Sequence, residues 1–407
     1  MPAAYHPRPR RGWLNDPNGM IFRGGRWHVF FQHNPAAARH HAIAWGHLSS
    51  EDLVRWHAHP VAFGPEPGAV DAFGCWSGVA TDLGDHVAVL YTGAEVTPAD
   101  TTVCLRRSLD DDLETWSAPQ VVAAQAQVPA EVGLVEMRDP FLLEAGGRRW
   151  ALLGAALSVE GERRPALLLW DASDLEHWEF AGVWLDHTDP VLAGCAPAQI
   201  WECPQLLDVD GTAVLLVSRW VDDRLEGVAQ VLGELGVDEQ GRPSFAARAG
   251  GDLDSGPSCY APQVAVDDDG PWLLGWVKED GVPQRTDGTD DPDAQVGCLT
   301  LVRRPVLVED DVRWRTDPRC EALLGDPVAW ADGDEVPAAA QVVVPRGGRL
   351  ERGGTSLDLP PGAQAWVDGD VVETYPGDAV PATTRAAGSG GWRLSAQQAR
   401  VRVVRTP

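Results

Sequence analysis

Apolar residues along this chain fall in short clusters rather than in helical stripes. Five runs stand out: RWHVFF (26–31), HVAVLYTG (86–93), RRWALLG (148–154), TAVLLVSRW (212–220) and PWLLGWV (271–277). Each is rich in β-branched, leucine and aromatic residues and is bounded by Gly, Asp or Pro, which predicts a buried strand. Their centres recur about 60 residues apart, a period that signals repeated supersecondary units. Gly and Pro, 43 and 32 of 407 residues, are spread evenly and favour many short strands joined by turns.

Two further markers keep the same period. Asp52-Leu53-x-x-Trp56, Asp112-Leu113-x-x-Trp116 and Asp174-Leu175-x-x-Trp178 follow the first three runs and read as turns that pin a tryptophan. Before each run sits a polar–aromatic segment: NDPNG (15–19), FGCWSG (73–78), MRDPF (137–141), WECPQ (201–205) and CYAPQ (259–263). Five repeats with an unusual segment at one phase imply a radial array whose innermost strands share a central funnel. We therefore expect an all-β chain, with residues 1–325 forming a five-bladed β-propeller. Residues 326–365 look like linker and weak strands. WVDGDVVETY (366–375) and WRLSAQQARVRVVR (392–405) alternate apolar and polar positions, as half-exposed strands do. A small, reduced C-terminal β-sandwich-like module is expected over 326–407. The alternative is extra strands packed on the last blade.

Three carboxylates stand at the funnel phase. Asp16 precedes Pro17, which disfavours helix at Asp16. Alone, NDPNG is good turn chemistry; its phase and its neighbour Trp13 make Asp16 a catalytic candidate. Glu202 interrupts an apolar strand, where a charge costs several kcal/mol, on the order of other buried-ion penalties, unless paired or protonated. Trp201 and Cys203 beside it favour the neutral acid, whereas a salt bridge to Arg138 is the structural alternative. Asp139 is again followed by Pro, with Arg138 available to orient it. Together with Trp13, Trp76, Trp201 and Trp276, three acids in one funnel suggest carbohydrate, whose hydrolysis uses two carboxyl groups.

Composition narrows the field. A formal charge of −27 repels nucleic acid and anionic membranes, so neither is an expected partner. Tryptophan is abundant, 18 residues against 4 tyrosines. The seven cysteines show no CxxC spacing, and the opening MPAAYHPRPRRGW lacks an apolar signal region, so a cytoplasmic protein is expected. There is no HExxH and no regular His/Asp ligand spacing. We expect no metal and no cofactor, although Cys75, Cys203 and Cys259 fall in three funnel segments. A serine hydrolase lacks its GxSxG elbow.

The segments WLNDPNGM, FFQHNP, IAWGHLSSEDLVRW, GCWSG, MRDP, WECPQL and LDSGPSCYAPQ, in this order over residues 13–263, resemble the invertase and fructan-hydrolase family, glycoside hydrolase family 32. The resemblance implies a five-bladed propeller followed by a β-sandwich, and retaining chemistry on a small-molecule fructoside. It implies Asp16 as nucleophile, Glu202 as acid/base and Asp139 as transition-state stabiliser. Asn15, Gln32, Trp76, Ser77 and Arg138 match positions lining the fructose subsite. Trp45, Tyr260 and Trp276 match positions expected at the pocket. Where the family carries a second tryptophan upstream of WGH, this chain reads RHHAIAWGH, which would put His41 on that wall. The C-terminal region is shorter than the family's sandwich, a difference that bears on homo-oligomer formation. Sucrose-6-phosphate hydrolase, fructosyltransferase and a non-catalytic sugar-binding propeller are the competing readings.

Overall fold

The five apolar runs are the second strands of five sheets that follow one another along the chain: Arg26–Asn34, Val87–Ala94, Arg148–Val159, Thr212–Val221 and Gly270–Val277. The computed structural model describes residues 5–279, 294–386 and 388–405. Each second strand pairs antiparallel with a first strand that carries the polar–aromatic segment. These are Gly12–Arg23, Gly74–Asp82, Leu134–Ala145, Ile200–Val209 and Cys259–Asp267. The second strands are buried on both faces, so Val87 to Tyr91 and Val214 to Val217 are all fully covered. Double-sided burial is why these strands read as unbroken apolar runs.

Apolar clusters fill the spaces between successive sheets. Phe30 and Trp45 of the first meet Val89 and Tyr91 of the second. Leu216 of the fourth meets Leu273 of the fifth, and Trp272 of the fifth returns to Trp27 of the first. First strands touch their neighbours in the same cyclic order. A short strand, Gln295–Val296, pairs in parallel with Gly12 and Trp13 and so ties the fifth repeat to the first sheet. The DLxxW segments are turns. Asp52 accepts from the N–H groups of Val54 and Arg55, at 2.9 and 2.7 Å, and Trp116 and Trp178 lie buried behind theirs.

From Leu324 onward the chain builds two further sheets. One has six strands in the order 324–328, 400–404, 339–344, 363–368, 371–375 and 382–385; the other has three, 355–359, 348–352 and 393–396. They share a core of Val342, Leu350, Val367, Val372, Trp392 and Leu394. The stretch 326–365, which reads as linker and weak strands, therefore holds three whole strands, 339–344, 348–352 and 355–359, and parts of two more. The inward apolar residues of the whole strands are few and small to medium-sized, Ala340, Val342, Val344, Leu350 and Leu359, which weakens the sequence signal.

A buried ionic cluster joins this unit to the five sheets. The Arg303 guanidinium, fully covered, donates to Asp254 at 2.7 Å and to Glu373 at 2.5 Å. His6 places one ring nitrogen on Asp368 and the other on Glu373, both at 2.8 Å. Burial alone would lower the His6 pKa, but the two carboxylates raise it above its ordinary value. Burial likewise acts to raise Glu373, yet Arg303 and His6 hold it down at about 2.

Candidate active site

All five first strands lose register at the same phase. The ladders slip between Leu14 and Pro17, Cys75 and Gly78, Arg138 and Phe141, Glu202 and Gln205, and Tyr260 and Gln263. Such bulges re-aim side chains and end pairing locally. Proline enforces four of them by removing a ladder N–H. Asp139, Cys203 and Ala261, each followed by proline, sit in the left-handed region with φ of 60°, 49° and 44°. Non-glycine residues adopt that conformation rarely, and the cost concentrates at functional sites.

The bulges turn side chains from all five sheets into one cavity of roughly 1000 Å³. Asn15, Asp16 and Gln32 come from the first sheet, Trp76 from the second, Arg138 and Asp139 from the third, Glu202 from the fourth, and Tyr260 and Trp276 from the fifth. Asp16 is held on both oxygens. Ser77 Oγ and Gln32 Nε2 donate to Oδ2 at 2.6 and 2.9 Å, and Asn15 Nδ2 donates to Oδ1 at 3.0 Å. Burial pushes its pKa up to about 6, repulsion from Glu202 adds to this, and the Ser77 and Asn15 hydrogen bonds oppose it.

Glu202 sits between two donors. Arg138 Nη1 reaches Oε1 at 3.0 Å, and Tyr260 OH reaches Oε2 at 2.8 Å. Burial and the Glu202 charge raise the Tyr260 pKa far above its usual range, so the phenol remains a neutral donor. Asp139 accepts the Cys203 backbone N–H at 3.0 Å, and its own N–H donates to Thr92 Oγ1 at 2.7 Å. Burial, then repulsion from Glu202, raises its pKa, while Arg138 opposes. The Cys203 thiol lies 3.6 Å from Asp16 and 3.5 Å from Asp139. Burial and the neighbouring carboxylates hold its pKa well above the ordinary thiol value. Among the described residues no group of three or more His, Cys, Asp or Glu is arranged to hold a metal.

Several expected positions need correction. Trp45 is fully buried and faces away from the cavity. It packs on Phe30 and Phe63 and donates its indole N–H to the Trp76 carbonyl at 2.9 Å, so it braces the wall from behind. Ser77 acts beneath the surface, through Asp16. The Trp201 indole points to the Ala196 carbonyl, and the neighbours of the Glu202 carboxyl are Arg138 and Tyr260 instead. Arg138 pairs with Glu202 rather than Asp139. His41 lines the cavity as expected, at its exposed rim. His40 is the histidine set edge-on to Trp13, 6.2 Å between centroids, and near Trp76. Phe73, Pro98, Trp220 and Leu225 also line the cavity. Phe73 opens the segment FGCWSG and Trp220 ends the fourth apolar run, whereas Pro98 and Leu225 lie outside the recurring segments, so the repeat gave no signal for those two.

The second strand of the third sheet approaches the first strand of the fourth closely here. A Cβ on Gly154, the partner of Arg138, would lie 2.0 Å from the Trp201 carbonyl oxygen. We expect Gly154→Ala to separate the strands carrying Asp139 and Glu202, cutting kcat roughly tenfold to a hundredfold and lowering Tm by several degrees, about 1–3 kcal/mol of overpacking. Steady-state kinetics and thermal melts of the variant check this; an unchanged kcat sinks it.

An all-β fold that gathers three acids under aromatic walls, one held by neutral donors and one between an arginine and a phenol, defines a glycoside hydrolase of the two-carboxyl type. Residues 6–316 match the family described as Glycosyl hydrolases family 32 N-terminal domain. The chain belongs to glycoside hydrolase family 32. It is 32% identical over 345 residues to a sucrose-6-phosphate hydrolase of Klebsiella pneumoniae, covering 82% of this chain and 71% of that protein. It is 30% identical over 346 residues to a raffinose invertase of Escherichia coli, covering 77% and 66%. The chain thus spans about two thirds of the length of these relatives. A Bombyx mori GH32 beta-fructofuranosidase shares the fold, with a TM-score of 0.80 at 23% identity over 99% of this chain and 94% of that one.

Proposed function

We propose that this chain is a retaining β-fructofuranosidase that hydrolyses terminal non-reducing β-D-fructosyl bonds of sucrose, fructo-oligosaccharides or fructans. The observation that carries this reading is the pairing of Asp16 and Glu202 in one cavity, each locked in orientation by donors of its own. Asp16 attacks the anomeric carbon as Glu202 gives its proton to the departing glycosidic oxygen. Glu202 then takes a proton from water as that water displaces Asp16. Repulsion among three buried acids favours keeping one proton in the cluster, and the first step needs it on Glu202. Asp139, Asn15, Gln32 and Arg138 bind the fructose hydroxyls, and Trp76, Tyr260 and Trp276 wall the ring.

The five sheets are read as blades of a five-bladed β-propeller over residues 1–325, with 326–407 as a reduced β-sandwich. The cyclic packing of first strands and the parallel Gln295–Val296 pair support this. The strand 324–328 moves the boundary two residues earlier. Seven unpaired cysteines support a reducing compartment such as the cytoplasm.

The lining favours unphosphorylated sugar. Phe73, Trp220 and Leu225 add apolar wall, Arg138 is already engaged by Glu136 and Glu202, and the other basic residues lining the cavity are His40 and His41, not a lysine or arginine cluster. We expect fructose release from sucrose or a fructan to exceed release from sucrose-6-phosphate in a chromatographic assay at equal concentrations. Faster turnover of the phosphorylated sugar refutes the preference, and no fructose from any of them refutes the activity.

A further inference from the structure

Glu136 is a buried carboxylate that the reaction above leaves unused. It lies two residues before Arg138 on the strand Leu134–Ala145, so the two side chains share a face. Its side chain is 7% exposed and is clamped by two arginines: Arg138 on Oε2, and Arg163 on Oε1 at 2.7 Å. Arg138 continues to Glu202. The Arg163 guanidinium lies over the Trp220 ring, 5.9 Å from its centroid, and Trp220 lines the cavity. One carboxylate thus braces the arginine on the acid/base and the arginine beneath the leaving-group wall.

We propose that Glu136 is a positioning residue that fixes the orientation and proton affinity of Glu202 and couples both to the Trp220 wall. The inference rests on the hydrolase reading. Its physical basis is charge balance. Glu202 faces Arg138 and Tyr260 in direct contact, Asp16, Asp139 and Cys203 across the cavity floor, and His40 and His41 at the rim. Glu136 itself faces Arg138 and Arg163. With Glu136 in place, part of the Arg138 charge is cancelled; without it, the whole of that charge acts on the Glu202 carboxyl, 3.0 Å away, and a cation beside a carboxyl favours its ionised form.

Two variants of opposite sign test this. In Glu136→Gln, the basic limb of the kcat/KM profile moves down by about one pH unit. Turnover of sucrose at pH 7 falls roughly ten- to a hundredfold, whereas an aryl fructoside with a good leaving group changes little. Glu136→Asp, which retains the charge, restores much of the limb. In Arg163→Ala, made at a side chain 37% exposed, Glu136 compensates Arg138 more fully. The limb moves up, and KM for sucrose rises as Trp220 loses its support. A merely structural role lowers both substrates equally and leaves the limbs in place; that result overturns the inference. If Glu136→Gln does not fold, an unmoved limb in Arg163→Ala overturns it equally. Wild-type protein that releases no fructose from either substrate instead overturns the hydrolase reading. Wild-type turnover with unmoved limbs overturns only the role of Glu136.

Discussion

Replacing Asp16 with asparagine removes turnover and leaves the protein folded. We expect kcat on sucrose to fall on the order of 10⁵-fold, because the group lost is the one that bonds to the sugar. An amide keeps an acceptor oxygen for Ser77 and Gln32 but turns its NH2 group toward the Asn15 Nδ2 donor, a local mismatch in a group of the same shape as the carboxylate, which leaves the fold in place. Stability should move the other way. The folded pKa, about 6, lies above the ordinary 3.8, so the folded chain binds more protons between these values. The Asp16 contribution to stability therefore falls as pH rises through that window. Tm of Asp16→Asn at pH 7 should equal or exceed that of the wild type. In the wild type, activity is lost as pH falls through about 6, where the nucleophile takes up its proton. Sucrose hydrolysis, thermal melts and a pH profile check the three parts. Near-wild-type hydrolysis in the variant would remove Asp16 from the mechanism.

Glu202→Gln should separate substrates by leaving group. An alkoxide such as the one departing from sucrose needs the proton, whereas an activated aryloxide departs without it. We expect a loss of about 10²–10⁴-fold on sucrose and a far smaller one on the fructosylation step of an aryl fructoside, read as a pre-steady-state burst. The amide oxygen faces Arg138 and its NH2 group turns to the Tyr260 oxygen, but the negative charge that Arg138 paired with is gone, so KM rises as well. Equal losses on both substrates would assign Glu202 a binding role instead of an acid's.

The central strands were legible because burial on both faces forbids polar interruptions; Val87–Ala94 and Thr212–Val221 differ from their expected bounds by about one residue. The first strands were legible only as recurring oddities. Their bulges and prolines break the period-two pattern by which a strand is recognised, yet those same breaks turn Asp16, Asp139 and Glu202 inward. Residues whose role depends on tertiary proximity left no local trace. Glu136 looks like any strand glutamate until Arg163 reaches it from Glu162–Asp171, two strands away across Arg148–Val159. Trp45 and Trp76 are both tryptophans in segments that resemble the family, and only the packing of Phe63 against Trp45 separates brace from wall. The C-terminal strands were underread because Gly348–Arg352 and Thr355–Leu359 have only five residues each and show few large apolar side chains.

The cluster of Arg303, Asp254, His6, Asp368 and Glu373 has a consequence for the autonomy of the catalytic half. Two of its acids belong to the last eighty residues, whereas the cations and Asp254 belong to the part that holds the cavity. Replacing Glu373 with alanine in the otherwise intact chain strands Arg303 in a water-poor setting with half its counter-charge gone, a defect on the order of 3–5 kcal/mol, comparable to the whole margin by which a typical domain stays folded. The tail is thus a keystone for the catalytic half, and damage far from the sugar reaches the chemistry through the collapse of its scaffold.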